Sequence, residues 1–389
     1  MPESLPLPAA APPLTLALLG AGTVSFFTLG VLQAAYGPAF PGFQARYGVG
    51  LGEVALIASL HFLGSAAAPP IVGLLLTRLS LRRVVVGSLI LLGGGALLVA
   101  AAPLWGVALA AALLAGLGLG GVSGALNAAY ASVGTRAINV VNSVFGVGSM
   151  LAPLIVAAGL GGSAPGGPTG GLGLALPFGV IAALSALSLL AAGRWGLPAL
   201  APPPRMAGEA RPGPLLVLFA AILLTYVGLE VGAGAWAGKY LSTLGVQNAA
   251  VVVSAFWGGI TVSRVLVGLM GARLVPARVV SASAFLTVLA AALSALPGFA
   301  SPAFVLLGLA CGPIFPTALA WVAQLVPARL VPFLLVAGST GGIVMPALIG
   351  WAFAGWGPGA VPGILTGGAA LLCALVLLAW RLGRRGAQS

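Results

Sequence analysis

Residues 73–83 read GLLLTRLSLRR, and residues 268–278 read GLMGARLVPAR. Gly73, Arg78 and Arg83 of the first stretch answer Gly268, Arg273 and Arg278 of the second, each pair 195 residues apart. A second echo joins GSMLAP at 148–153 to GGIVMP at 341–346, with an offset of 193. In a chain with 60 Gly and 30 Pro such matches come easily, so it is the near-agreement of two separate offsets that carries weight. It predicts one unit used twice in the same direction, the build of many secondary transporters.

The first pair of stretches borders long apolar runs, and the second pair lies within them. The 389 residues are 60% hydrophobic and 5% charged, with a mean hydropathy of +1.17. Soluble domains carry about 25% charged residues, so this chain cannot cover a water-facing surface, and its solvent is lipid. Runs of about 20 apolar residues, the length that crosses a bilayer, fall near 14–39, 51–75, 84–102, 105–131, 138–160 and 173–193. They resume near 215–241, 247–270, 278–297, 302–325, 332–354 and 360–381. The expected fold is an all-α membrane protein of twelve transmembrane helices in two six-helix bundles, residues 1–193 and 215–389. A Pro- and Arg-rich cytoplasmic linker at 194–214 joins them.

Charge supplies the orientation. With the N-terminus inside, thirteen basic residues fall in inner segments and only Arg46 and Lys239 in outer ones, while Arg264 lies within a span. Basic residues favour the cytoplasmic side, so both termini are expected there, in a bacterial inner membrane. The first residues, MPESLPLPAAAPP, lack a basic leader segment and read as a short cytoplasmic tail.

The same inventory excludes whole classes of chemistry. There is no Asp, and the acids are Glu3, Glu53, Glu209 and Glu230. Clustered carboxylates for Mg²⁺, metal cages and Ser-His-Asp triads lack their parts, so neither an enzyme nor a cofactor or metal is expected. No Gly-x-x-x-x-Gly-Lys motif is present to bind ATP. The net charge of +12 sits in short gaps between spans, where anionic lipid rather than nucleic acid is the partner. Cys311 and Cys373 fall inside apolar runs, which argues against a disulfide framework.

On these stretches the chain resembles the major facilitator superfamily. That family's loop after span 2 reads Gly-x-x-x-Asp-Arg-x-Gly-x-Arg-Arg; this chain keeps Gly73, Arg78, Arg82 and Arg83, with Thr77 and Ser80 replacing the Asp and the second Gly. Its finer resemblance is to the fucose permease and glucose/mannose–proton symporter branch. It rests on TYVGLEVGAGAW at 225–236, FWGGITVSRVLVG at 256–268 and GPIFPTALA at 312–320. The resemblance implies bundles that rock about a central site, with Arg78, Arg83, Arg273 and Arg278 at a cytoplasmic gate beside Gly73 and Gly268. The chain departs from the branch where acids or a His are expected: Ser123 stands four before Asn127, Asn142 stands four before Gly146, and span 1 offers only Gln33. Gate and lipid anchor weigh equally for Arg78, and anchoring is favoured for Arg83.

The polar residues of the spans each have two readings. Glu230 is the one acid well inside a span, where a carboxylate is costly and by default functional, and it is, with His61, the candidate for proton coupling; the alternative is a neutral Glu bonded to backbone. His61 reads as a proton relay or, more commonly, as a packed core His. Arg264 shares a helical face with Trp257 and Gly268 and serves a site or snorkels toward the cytoplasm. Counted from Arg273, it lies nearer the cytoplasm than Glu230, which argues against a permanent ion pair. Gln33, Ser123, Asn127, Asn142, Trp236, Trp257, Trp321 and Gln324 are candidates to contact solute, or they are interhelical glue. The expectation is a monomeric secondary transporter moving a small solute, a sugar or polyol, with proton coupling open. The alternatives are an efflux carrier for apolar or cationic compounds and an uncoupled facilitator.

Overall fold

A computed structural model describes residues 16–133, 135–161, 172–195, 197, 213–270, 274–322, 324–325 and 331–386. The described residues form helices and turns without a strand, and twelve helices are long and apolar enough to cross a membrane. In lipid each backbone amide must be satisfied within its own segment, which an uninterrupted helix achieves. The N-terminal six are α1 (Leu16–Tyr47), α2 (Leu51–Leu76, broken at Ala55), α3 (Leu81–Ala101), α4 (Trp105–Val133), α5 (Thr135–Gly159) and α6 (Ala175–Trp195). The C-terminal six are α7 (Pro214–Thr243), α8 (Ala249–Met270), α9 (Pro276–Leu293), α10 (Pro297–Val322), α11 (Val331–Trp356) and α12 (Ala360–Gly386).

Helix ends follow local chemistry. The Ser80 hydroxyl accepts from the Arg83 amide at 3.4 Å and caps α3, while Pro214 and Pro276 open α7 and α9 at a position needing no donor. Gly48 and Gly245 follow α1 and α7 with φ of 67° and 78°, and Gly161 and Gly357 follow α5 and α11 with 77° and 81°. The left-handed turn recurs at equivalent points of the two halves, where a side chain would be strained.

Helix neighbours repeat as well. In the first half α1 packs on α5 and α6, α2 on α4, and α3 on α4 and α6. In the second, α7 packs on α11 and α12, α8 on α10, and α9 on α10 and α12. The halves meet through α2 with α11, α5 with α8, and α1 with α7, the pairing that a two-fold axis between repeated units produces.

Those meetings are not spread evenly through the membrane. The end carrying the 48–50 and 244–248 connections is called the Arg-poor end, and the opposite one, with Arg78, Arg82, Arg83 and Arg278, the Arg-rich end. The Ser59 hydroxyl donates to Ile343 O at 2.7 Å, and that of Ser254 donates to Met150 O. Phe40 meets Trp236 at 5.1 Å between ring centroids. A Cβ on Gly37 would overlap the Ala235 backbone, so only glycine permits this approach of α1 to α7. Each contact lies at mid-membrane or toward the Arg-poor end. Toward the Arg-rich end Gly73 and Gly268 have open space beside them, and no glycine approach or ring contact among the described residues joins the halves there. The bundles are closed at the Arg-poor end and parted at the Arg-rich one.

Two boundaries differ from the sequence reading. Helix α1 continues through Pro38 and Pro41 to Tyr47, because its neighbours hold it where proline alone would break it. Arg46 therefore lies in a helix, not a loop; its guanidinium donates to Ala100 O at 2.6 Å and Ala102 O at 2.9 Å, capping the carbonyl end of α3. Helix α10 ends at Val322, so Gln324 falls in an exposed turn beyond it rather than within a span.

Candidate functional site

The centre of the second half holds an ion pair. Helices α7 and α8 are antiparallel around a short connection, so residues equally far from it share a depth. Glu230 lies 13 residues before the end of α7, and Arg264 lies 15 after the start of α8. The mismatch of two residues is about 3 Å along a helix. Arg264 Nη2 donates to Glu230 Oε1 at 2.9 Å. This corrects the expectation that Arg264 lies too near the cytoplasm for an ion pair with Glu230. Counting Arg264 from Arg273 placed it too near the Arg-rich end; counting from the α7–α8 connection brings the two level.

Two further bonds hold the guanidinium. Arg264 Nη2 also donates to Tyr226 Oη at 3.1 Å, and Nε donates to Gly312 O at 3.0 Å. Tyr226 precedes Glu230 by four residues and so presents to the same face. Gly312 O is available because Pro316, four residues on, has no amide hydrogen to give it. Helix α10 is interrupted here, one segment ending at Cys311 and the next starting at Ile314. Glu230 is buried, whereas the Arg264 side chain is 31% exposed and reaches the parted side of the bundle. Tyr226 and Gly312 were not singled out as site residues; the spacing of Tyr226 from Glu230 and the proline after Gly312 were their signals.

The remaining candidates divide by position. The Trp257 indole lies against Gly234 of α7, where a Cβ would stand 2.6 Å from the ring, and its Nε1 has no partner among the described residues. Gln33 borders a narrow space between α1, α2 and α7 together with Tyr36, Ala58 and Phe62. In the first half, Asn127 Nδ2 donates to Ser123 Oγ at 3.1 Å on α4, and Asn142 is exposed on α5. Trp236 is fully buried toward the Arg-poor end, with Nε1 donating to Pro346 O at 2.8 Å and its ring packed on Phe40. Trp321 packs edge-on against Phe219 toward the Arg-rich end. His61 is fully buried beside Tyr36, with both ring nitrogens unpartnered among the described residues. Arg78, Arg83 and Arg278 are exposed, and Arg273 lies outside the described residues. The structure thus joins Glu230 and Arg264 to two residues not foreseen, Tyr226 and Gly312.

Solved transporters share this architecture. A variant of the nucleoside transporter NupG superposes with a TM-score of 0.75 at 14% identity, covering 93% of this chain and 99% of that one. The fucose:proton symporter FucP of E. coli gives 0.66 at 16% identity, covering 93% and 98%. A variant of the peptide transporter POT gives 0.77 at 12% identity, covering 97% of each chain. At these identities the likeness is one of fold. No curated protein sequence matches the chain. The family model described as Major Facilitator Superfamily matches residues 22–334. A duplicated six-helix unit, closed at one end and parted at the other about a mid-membrane polar cluster, is thus the structure of a membrane transporter, and the chain belongs to the major facilitator superfamily.

Proposed function

We propose that this transporter carries a small, uncharged, hydroxyl-rich solute, a sugar or polyol, across a bacterial cytoplasmic membrane by alternating access. The halves at 1–193 and 215–389 rock about the centre, with 194–214 as their cytoplasmic link. The Arg-rich end faces the cytoplasm, a reading supported by the distribution of basic residues, and the conformation described is then open inward.

The Glu230–Arg264 pair is the observation that carries this reading. It offers a carboxylate acceptor and guanidinium donors in one cluster whose charges cancel. Adjacent hydroxyls present donors and acceptors in the same alternation, and hydrogen bonds to charged groups are worth about 1.5–3 kcal/mol. A carrier for lipophilic cations needs an acid free of a partner, and Glu230 is not free. Asn127, Ser123, Asn142 and Gln33 supply neutral polar groups from the first half, and Trp257 an aromatic face. The fucose:proton symporter and the nucleoside transporter that share the fold also handle hydroxylated solutes.

Thermal unfolding of the detergent-purified protein against sugars, polyols, nucleosides and lipophilic cations tests the proposal. Hydroxylated solutes should raise the midpoint in the wild type and not in Glu230→Gln. Stabilisation by lipophilic cations alone would replace this reading with the efflux one.

A further inference from the structure

Two polar side chains of the first half, His61 and Tyr36, are buried side by side. His61 of α2 is fully buried and lacks a hydrogen-bond partner for either ring nitrogen among the described residues. Tyr36 of α1 is 2% exposed, and its hydroxyl is equally unpartnered. Their rings pack with centroids 4.8 Å apart. A buried polar group without a partner is destabilising, and two side by side point to a second state in which they are satisfied. Tyr36 also borders the narrow space at Gln33, Ala58 and Phe62, immediately beside the Gly37–Ala235 approach that closes the Arg-poor end.

Among the described residues no fixed charge faces this imidazole. On α2, Glu53 lies two turns toward the Arg-poor end and accepts from the Gly50 amide. Helix α4 packs Gly116 against the His61 backbone and brings the backbone of Ala112 to the imidazole side without completing a hydrogen bond of full geometry. Phe178 of α6 stands behind Tyr36, and Gly342 of α11 lies against Phe62. Helix α7 brings Val231, Gly234 and Ala235 to the space, while Glu230 turns to Arg264.

We propose that His61, with Tyr36 beside it, is the proton-binding site of this transporter, filled from the Arg-poor side when that end opens and emptied when it closes. Parting α1 from α7 wets Tyr36 and then His61. A proton from water joins the free imidazole nitrogen, and the resulting N–H groups face the Tyr36 hydroxyl and the Ala112 carbonyl. Closure removes the water, and an imidazolium with no carboxylate near it is not sustained in so apolar a setting. The proton passes to water on the parted side, restoring neutral His61. The inference rests on the alternating-access reading above and is independent of which solute is carried.

The chain has a single His, so histidine-selective ¹⁵N labelling gives one imidazole to observe, provided that the protein is purified without a polyhistidine tag. As the pH is lowered from 8 to 5 in lipid nanodiscs, the wild-type imidazole is expected to become doubly protonated only in the population that is separated at the Arg-poor end. Spin labels at Ala45→Cys and Gln247→Cys, both exposed at the Arg-poor end, should report separation of the halves over the same range once Cys311 and Cys373 are replaced. The separated population should rise by up to about tenfold per pH unit, the limit for one linked proton. His61→Gln should abolish that pH response while keeping the solute-induced thermal shift, which separates this proposal from the solute assignment. An imidazole that stays neutral throughout, or a distance response that persists in His61→Gln, overturns it. Should His61→Gln not fold, Tyr36→Phe must displace the imidazole titration midpoint; an unchanged midpoint overturns the proposal equally.

Discussion

Deleting the Arg264 guanidinium while leaving Glu230 in place strands a carboxylate in the middle of a membrane. Arg264→Met keeps much of the aliphatic stem and removes three donations, to Glu230 at 2.9 Å, Gly312 O at 3.0 Å and Tyr226 at 3.1 Å. Breaking a fully buried pair from one side costs about 3–5 kcal/mol. The Arg264 side chain is 31% exposed, so cleft water screens part of the interaction; the expected loss falls to roughly 2–3 kcal/mol. Glu230→Gln leaves an acceptor for the guanidinium and should cost about 1 kcal/mol. With both substitutions no charge is stranded, and the loss should fall short of the summed singles by about 1–2 kcal/mol. Reversible unfolding of the four proteins in mixed detergent micelles measures this cycle. Additivity within about 0.5 kcal/mol would mean that the pair is not coupled, and the argument from its geometry would fail.

Gly37→Val should hold the Arg-poor end apart, because even a Cβ there meets the Ala235 backbone. A cysteine at Ala58, 3% exposed in the closed arrangement, should then label several-fold faster from that side; an unchanged rate would contradict the assignment of Gly37. Trp236→Phe removes the bond to Pro346 O while keeping an aromatic ring, and should lower stability by about 1 kcal/mol without altering solute affinity. Cysteine in place of exposed Arg78 should react only with reagent on the cytoplasmic side, and labelling from outside alone would invert the orientation.

Much of the architecture was legible because lipid makes composition decisive. Apolar length marked the spans, and the matched loops at 73–83 and 268–278 announced the duplication that helix neighbours bear out. The misplaced points share one cause: contacts between helices are invisible to distances counted along a single helix. Arg264 looked remote from Glu230 when measured from one end of α8 and level with it from the other. Arg46 looked like a loop charge because Pro38 and Pro41 suggested an earlier end to α1. Gln324 looked intramembrane because the apolar run outlasts the helix. Tyr36 and His61 are conspicuous only once their surroundings are known, since a side chain's lack of partners is a property of three dimensions.

The carbonyl left over by Pro316 gives α10 the character of a jointed rod. Elsewhere a helix is stiffened by its own ladder, but at this joint the bracing is the Nε–H of a residue from α8. Any ligand that draws Arg264 away unpins the joint, and any flexing of the joint pulls on the partner of Glu230. Bending of α10 and the electrostatics of the membrane centre are therefore one mechanical coordinate, through which occupancy of the centre is transmitted to the shape of the second bundle.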